Sequence, residues 1–281
     1  MILLTGATGT VGSALLRRLT ADGRPVRALV RDQRRLGEQR VRVQIALGEL
    51  ADPPSFRNAL RGVDTVVHLA ASIRDQPRAS IEELNAMATL RLVRAAERAG
   101  VRRFVFFSAL NASHHSRTRF FRAKALAEEA VEESSLETTI FRPSIVYTPG
   151  DPWLTLLDRL SRLPAVPVSG SGRALYQPIW AEDVADAVMN ALPATGSTYE
   201  LAGPDVLSYD DIVRTVLRAT RRRRRLLHVP LPVVRASLKV LRFATWEEAE
   251  LMEEPMVTER GTADIEQLGV HPHSMPAVLG R

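Results

Sequence analysis

Short apolar runs alternate with amphipathic stretches along the first 150 residues. Residues 1–4, 26–30 and 41–46 read as strands, with a helix at 11–20 and a short one at 55–60. Residues 65–69 are apolar except for His68, the pattern of a parallel strand buried on both faces. Over 82–99, Leu84, Met87, Leu90, Val93 and Ala96 recur at the spacing of a helix's core face. Strands at 103–108 and 138–142 flank a helix at 123–133. This βαβ rhythm predicts an α/β fold built on a doubly wound, mostly parallel sheet.

After Pro143 the order is less regular. A helix is expected at 153–163, then a turn at Gly170 and Gly172 leading into a strand through Tyr176. A helix at 182–192 and a strand at 198–201 follow, with helical stretches near 209–217, 233–241 and 247–254. The expected division is a βαβ domain over 1–150 and a mixed C-terminal region over 151–281. The second part returns in places to the main sheet and forms a small lobe over the strand ends, where open α/β sheets bind ligands.

Composition narrows the chemistry. Among 281 residues, 45% are hydrophobic and 25% charged, an ordinary globular balance. The absence of cysteine excludes thiol catalysis, cysteine zinc sites and iron–sulfur clusters. His271 and His273 lack a nearby acidic group, so no metal is expected. The net charge is +6, yet seven arginines and no acid lie between Arg214 and Arg225; without them the chain would carry −1. The run from Arg221 to Arg225 fits a solvated helix end, an anionic partner or a wall of the ligand cleft. Alone it shows no adjacent lipid-burying face, so membrane attachment is not expected. No nucleic-acid-binding motif accompanies it. No apolar window approaches eighteen residues and the first residues lack a signal-peptide pattern, so a cytoplasmic protein without a spanning helix is expected. Oligomeric state is not legible.

The sharpest local signal is Gly6-Ala7-Thr8-Gly9-Thr10-Val11-Gly12, placed after an apolar strand and opening a helix. Gly6 suits a tight turn, Gly9 lets a pyrophosphate approach the backbone, and Gly12 lets the helix pack against the strands. No lysine follows Gly12, so this is not a Walker A loop. The second strand ends in Arg31 and Asp32, with Arg34 and Arg35 beyond. An arginine there pairs with the extra phosphate of NADP and an acid with the ribose hydroxyls of NAD; NADP is favoured, and Asp32 keeps NAD open.

These motifs resemble the extended or atypical branch of the short-chain dehydrogenase/reductase superfamily, whose Rossmann-type sheet binds NAD(P). The segment from Thr5 to Gly12 is similar to that branch's nucleotide loop, with Thr8, Thr10 and Val11 beside the glycines. The resemblance implies that Glu49 and Leu50 sit beside adenine and that Leu69, Ala70 and Ala71 pass the nicotinamide-side ribose. Asn85 and Thr89 fit the pattern of the long helix. It further implies that Pro143 and Ile145 lie in the loop flanking nicotinamide. Residues 177–185 and 199–204 are closest to the group named after the alpha-subcomplex subunit 9 of respiratory complex I. That group includes bacterial proteins of undefined activity and a subunit whose NADPH is structural.

The superfamily's chemistry uses a serine, a tyrosine and a lysine. Ser108, at a strand end, and Lys124 match the first and third; the tyrosine position is Phe120, which has no proton to give. His114 is therefore a tentative alternative acid, with His115 beside it, and a polar loop is the competing reading. Tyr147 is expected to be structural and Asp183 to cap its helix. Three functions remain open. One is an NAD(P)H-dependent reductase of an apolar carbonyl, quinone or activated alkene, for which Phe120 and Phe121 could face the substrate. Another is a catalytically silent dinucleotide-binding protein with a structural or regulatory role. A sugar-nucleotide epimerase or dehydratase is weaker because of Phe120.

Overall fold

The computed structural model describes residues 1–280 apart from Arg78, Ala194, Arg235 and 237–244. The chain first forms β1 (Ile2–Thr5), α1 (Thr10–Ala21), β2 (Val26–Val30), β3 (Gln44–Leu47), α2 (Pro53–Arg57) and β4 (Thr65–His68). A π turn at Glu83–Met87 then runs into α3 (Ala88–Arg98), followed by β5 (Arg103–Phe107), α4 (Arg119–Glu132), β6 (Glu137–Pro143) and β7 (Val146–Tyr147). The second part contains α5 (Pro152–Leu160), β8 (Ala165–Ser169), β9 (Leu175–Tyr176), β10 (Ile179–Trp180), α6 (Ala181–Ala191) and β11 (Ser197–Leu201). It continues through β12 (Leu207–Ser208), α7 (Tyr209–Ala219) and β13 (Arg225–Val229), with short helices at Trp246–Leu251, Ala263–Gln267 and Met275–Leu279.

Seven strands form one parallel sheet in the order β3-β2-β1-β4-β5-β6-β11. The strand order reverses between β1 and β4, which opens a crevice at their C-terminal ends. Strand alternation feeds two cores. Leu4, Ala28, Val67 and Val105 pack with Leu15 and Leu19 of α1 and Val184 and Val188 of α6. Leu3, Val66, Phe104 and Phe106 pack with Phe56, Leu92 and Val131 on the opposite face. Arg18 ties the first helical layer together by bridging Glu182 and Asp186. A third core under the C-terminal lobe joins Leu157, Val166, Val168 and Ile212.

Several elements differ from the sequence reading. The helix expected at 82–99 opens with the π turn, and α4 begins a turn early because Thr118 Oγ1 accepts from the Phe121 amide at 3.4 Å. Strands β8 and β13 lie outside the expected set. They pair in parallel, Arg225 opposite Ala165 through Val229 opposite Ser169, although Pro167 and the arginine run mask the strand pattern. Most of the helical stretch expected at 233–241 lies outside the described residues.

Candidate dinucleotide site

The glycine turn stands where its spacing predicts, directly between β1 and α1. Gly6 adopts φ +72, and a Cβ there would come within 2.7 Å of the Ala70 nitrogen. The turn closes through Gly9 N–H donating to Gly6 O at 2.9 Å. At Gly12 a Cβ would fall 2.0 Å from Gly6 O. The third glycine therefore lets α1 seat against the turn itself rather than against the strands. The first-turn amides of α1 have no earlier helical carbonyls to bond, and with the helix dipole they favour an anion.

A cavity of about 280 Å³ opens in front of this turn. The residues from Thr5 to Gly9 form its floor, and the strand end Leu29, Val30 and Arg31 forms a wall with Arg35. Gly48, Glu49 and Leu50 close one side; Leu69, Ala70, Ala71 and Ser72 close the other. Thr10, Val11 and Gly12 support the turn from behind and do not line the cavity. Asp32 does not line it either: its carboxylate accepts from the Arg34 amide at 2.9 Å and caps the following 3-10 turn. Arg31 donates to Gln76 Oε1 at 2.8 Å across the mouth. Backbone amides, three glycines and two guanidinium groups around one crevice fit a dinucleotide phosphate.

Behind the cavity, His68 is completely buried and forms a directional chain. Thr89 Oγ1 donates to the Asn85 carbonyl at 2.5 Å, so it accepts from His68 Nε2–H at 3.0 Å. His68 Nδ1 is then the acceptor for Thr5 Oγ1–H at 2.6 Å, while Thr5 accepts from the Ala70 amide at 3.4 Å. Desolvation, with the Lys124 charge adding to it, holds the His68 imidazole neutral by lowering its pKa to about 3. Asn85, in the π turn, completes the link by exchanging hydrogen bonds with the Ser72 backbone at 2.8 and 3.1 Å. Thr5 opens the segment that resembles the nucleotide loop, but its bond to His68 has no local signal, because only the in-register pairing of β1 with β4 brings the two together.

Ser108 and Lys124 lie deeper, beyond the cavity lining. Ser108 is buried at the end of β5; its amide donates to Phe141 O at 2.7 Å, while its Oγ has no hydrogen-bond partner. Lys124 is buried too, and its Nζ donates to the Phe107 carbonyl at 2.6 Å. That nitrogen stands 4.9 Å from the Phe106 ring centroid and 5.8 Å from that of Phe120. Burial among these rings lowers its pKa to about 7, against a partial opposing pull from Glu128. The Tyr147 hydroxyl is a second buried group without a partner, held protonated by burial and by Asp183 and Asp205. Pro143 and Ile145 do not line the cavity.

His114 is exposed, 3.8 Å from Glu129 Oε2, and like Ser108 and Lys124 does not line the cavity. One expectation is corrected. Asp183 makes no helix cap. It is buried and accepts from both the amide and Nδ1 of His273, at 2.7 and 2.9 Å, pinning the C-terminal segment to α6. The sequence also gives no sign of Arg119, which joins Asp75 and Glu82 to Glu247 of the C-terminal lobe. Among the described residues no group of three or more His, Asp or Glu is placed to hold a metal, and no helix is long and apolar enough to cross a membrane.

A doubly wound parallel sheet with a glycine turn and a cavity at the strand-order reversal defines a Rossmann-type dinucleotide-binding protein. The family described as NAD(P)H-binding matches residues 6–195, and the chain belongs to it. It is 30% identical over 247 residues to the mitochondrial NADH dehydrogenase [ubiquinone] 1 alpha subcomplex subunit 9 of Arabidopsis thaliana; this covers 82% of the chain and spans 60% of that relative's length. It is 29% identical over 234 residues to an NAD(P)H azoreductase of Xenophilus azovorans, covering 79% of the chain and 74% of that protein. A nucleoside-diphosphate-sugar epimerase from Staphylococcus aureus superposes with a TM-score of 0.82 over all of this chain and 99% of its own, at 20% identity, a likeness of fold alone.

Proposed function

We propose that the protein is an NADPH-dependent reductase of a small apolar acceptor, a quinone, activated alkene or carbonyl, working in the cytoplasm. The observation that carries the cofactor assignment is the division of labour between Arg31 and Asp32. Arg31 and Arg35 face the cavity, whereas the Asp32 carboxylate is engaged as a cap. Two guanidinium groups there suit a 2′-phosphate, and the Asp32 carboxylate does not line the cavity. Residues 1–150 would hold the dinucleotide: Gly6, Thr8 and Gly9 at the diphosphate, Glu49 and Leu50 at adenine, and Leu69, Ala70 and Ala71 along the second ribose. Pro143, Ile145 and the lobe over 151–281 would bound the acceptor.

When bound, the nicotinamide supplies a hydride. The chain's own part is to receive the acceptor and stabilise the charge that develops on it. The Ser108 hydroxyl, buried without a partner, is free to donate to an acceptor oxygen. Lys124 places a cation-capable nitrogen one residue away, held by Phe107 O. With Phe120 in place of a hydroxyl donor, water delivers the proton, which suits quinones and activated alkenes better than isolated carbonyls. The reductase named among the relatives supports this direction.

Oxidation of NADPH followed with a panel of quinones and enones tests the reading. Turnover that falls at least about tenfold on Ser108→Ala supports it. Tight NADPH binding without turnover on any acceptor favours the second reading, a dinucleotide-binding structural or regulatory protein, which Phe120 also fits.

A further inference from the structure

The arginine run is not a solvated helix end alone, because it leads into a two-stranded ribbon with an exposed leucine. Strands β8 and β13 pair in register, and their side chains alternate between two faces. Val166, Val168 and Leu226 point into the lobe's core. Ala165 and Pro167 therefore share the other face with Arg225, Leu227 and Val229, and Leu227 is 57% exposed. Leu163, just before β8, is 45% exposed at the same end of the ribbon.

Around this apolar strip stands an excess of positive charge. Arg222 is the structural member of the run, bonded to Asp158 and Ser161 at the end of α5. Arg162 shares that same Asp158. Among the described residues Arg221, Arg223, Arg224 and Arg225, which lead from α7 into β13, are exposed and have no carboxylate partner. Arg221 holds φ +53 just past the end of α7, where glycine is the residue without strain. An arginine is thus kept at a position whose backbone favours another residue.

We infer that this face is a docking surface for an anionic phospholipid membrane, with Arg223, Arg224 and Arg225 at the headgroups and Leu163 and Leu227 entering the interface. Arginines near an anionic leaflet gain from its surface potential, and exposed leucines between them gain by leaving water. Among the described residues the exposed large apolar side chains include no aromatic ring for base stacking, which weighs against single-stranded nucleic acid. An acidic protein would match the charge but not the leucines. The membrane contact is peripheral and independent of the redox reading.

The test is sedimentation of the full chain with vesicles of phosphatidylcholine alone or with 30% phosphatidylglycerol, at low and high salt. Binding is expected only with the anionic vesicles, and salt should weaken it. Substituting R223Q, R224Q and R225Q together, with Arg222 left in place, should weaken partitioning on the order of 100-fold. L163S with L227S should weaken it by about tenfold or more while leaving free polyglutamate binding unchanged. Unchanged NADPH affinity in both variants shows that the fold is intact; if either misfolds, the wild-type preference for anionic vesicles decides. Equal partitioning to both vesicle types overturns the inference. So does polyglutamate binding as tight as vesicle binding together with no effect of the leucine pair, which would indicate an acidic protein.

Discussion

Lys124 donates its Nζ hydrogen to the carbonyl oxygen of Phe107 at 2.6 Å, one residue before the unpartnered hydroxyl of Ser108. The ammonium is packed among aromatic rings, and desolvation lowers its pKa from 10.5 to about 7. Below pH 7 the lysine is protonated folded or unfolded, and its burial is a standing cost. Between about 7 and 10.5 only the unfolded chain keeps the proton, so this residue makes stability rise with pH across that window. The sequence has only two lysines, Lys124 and Lys239, so selective labelling yields two signals. One should titrate near pH 7, and Lys124→Met should remove the slope and stabilise the protein at pH 6. Two signals titrating near 10.5 would be inconsistent with the buried environment.

His68 acts in the same direction, in a more acid window. Its folded pKa is lowered to about 3 from 6.5, so as pH falls through that interval the unfolded state gains a proton that the folded state refuses. Stability is lost progressively from pH 6.5 to 3. Thr5→Val removes the donor to His68 Nδ1 and leaves a buried acceptor unsatisfied, which costs about 1–3 kcal/mol. Denaturant titrations at pH 7 and 4.5 check both, and nitrogen chemical shifts should report the Nε2–H tautomer throughout.

Phe120 lies on the same helix as Lys124, with its ring 5.8 Å from Nζ. Phe120→Tyr adds a hydroxyl beside that nitrogen. Reduction of simple carbonyls should rise by about 100-fold, the lower range for a positioned general acid. Quinone reduction should change little. Equal effects on both acceptors would show that the added hydroxyl alters something other than proton delivery.

Arg31→Ala with Arg35→Ala should weaken NADPH binding by about 100-fold or more while changing NADH affinity less than about threefold, as loss of two charge-assisted contacts to a phosphate requires. Calorimetric titration of both nucleotides measures the difference. Asp32→Asn should leave the preference in place, because that carboxylate serves the Arg34 amide.

The parts legible from sequence are those whose signal is local. Gly6, Gly9 and Gly12 follow β1 and open α1 within a dozen residues, and the apolar run at 65–69 announces a strand buried on both faces. What escaped depends on partners far along the chain. Asp183 reads as a helix cap because its partner, His273, is 90 residues away. Strands β8 and β13 are short, one contains Pro167 and the other starts at Arg225, so each lacks a clean alternation until the pairing is seen. Asp32 reads as a ribose ligand because its competing bond to the Arg34 amide depends on backbone geometry, not residue type.

Everything above the sheet depends on the turn from Gly6 to Gly12 receiving the diphosphate of a nicotinamide nucleotide. Isothermal titration of the purified chain with NADPH and NADH, alongside Gly12→Val, whose side chain would enter the space occupied by Gly6 O, measures this directly. Micromolar or tighter NADPH binding, lost in a variant that still folds, is the expected result. Absence of heat with either nucleotide, or full affinity in Gly12→Val, would contradict it.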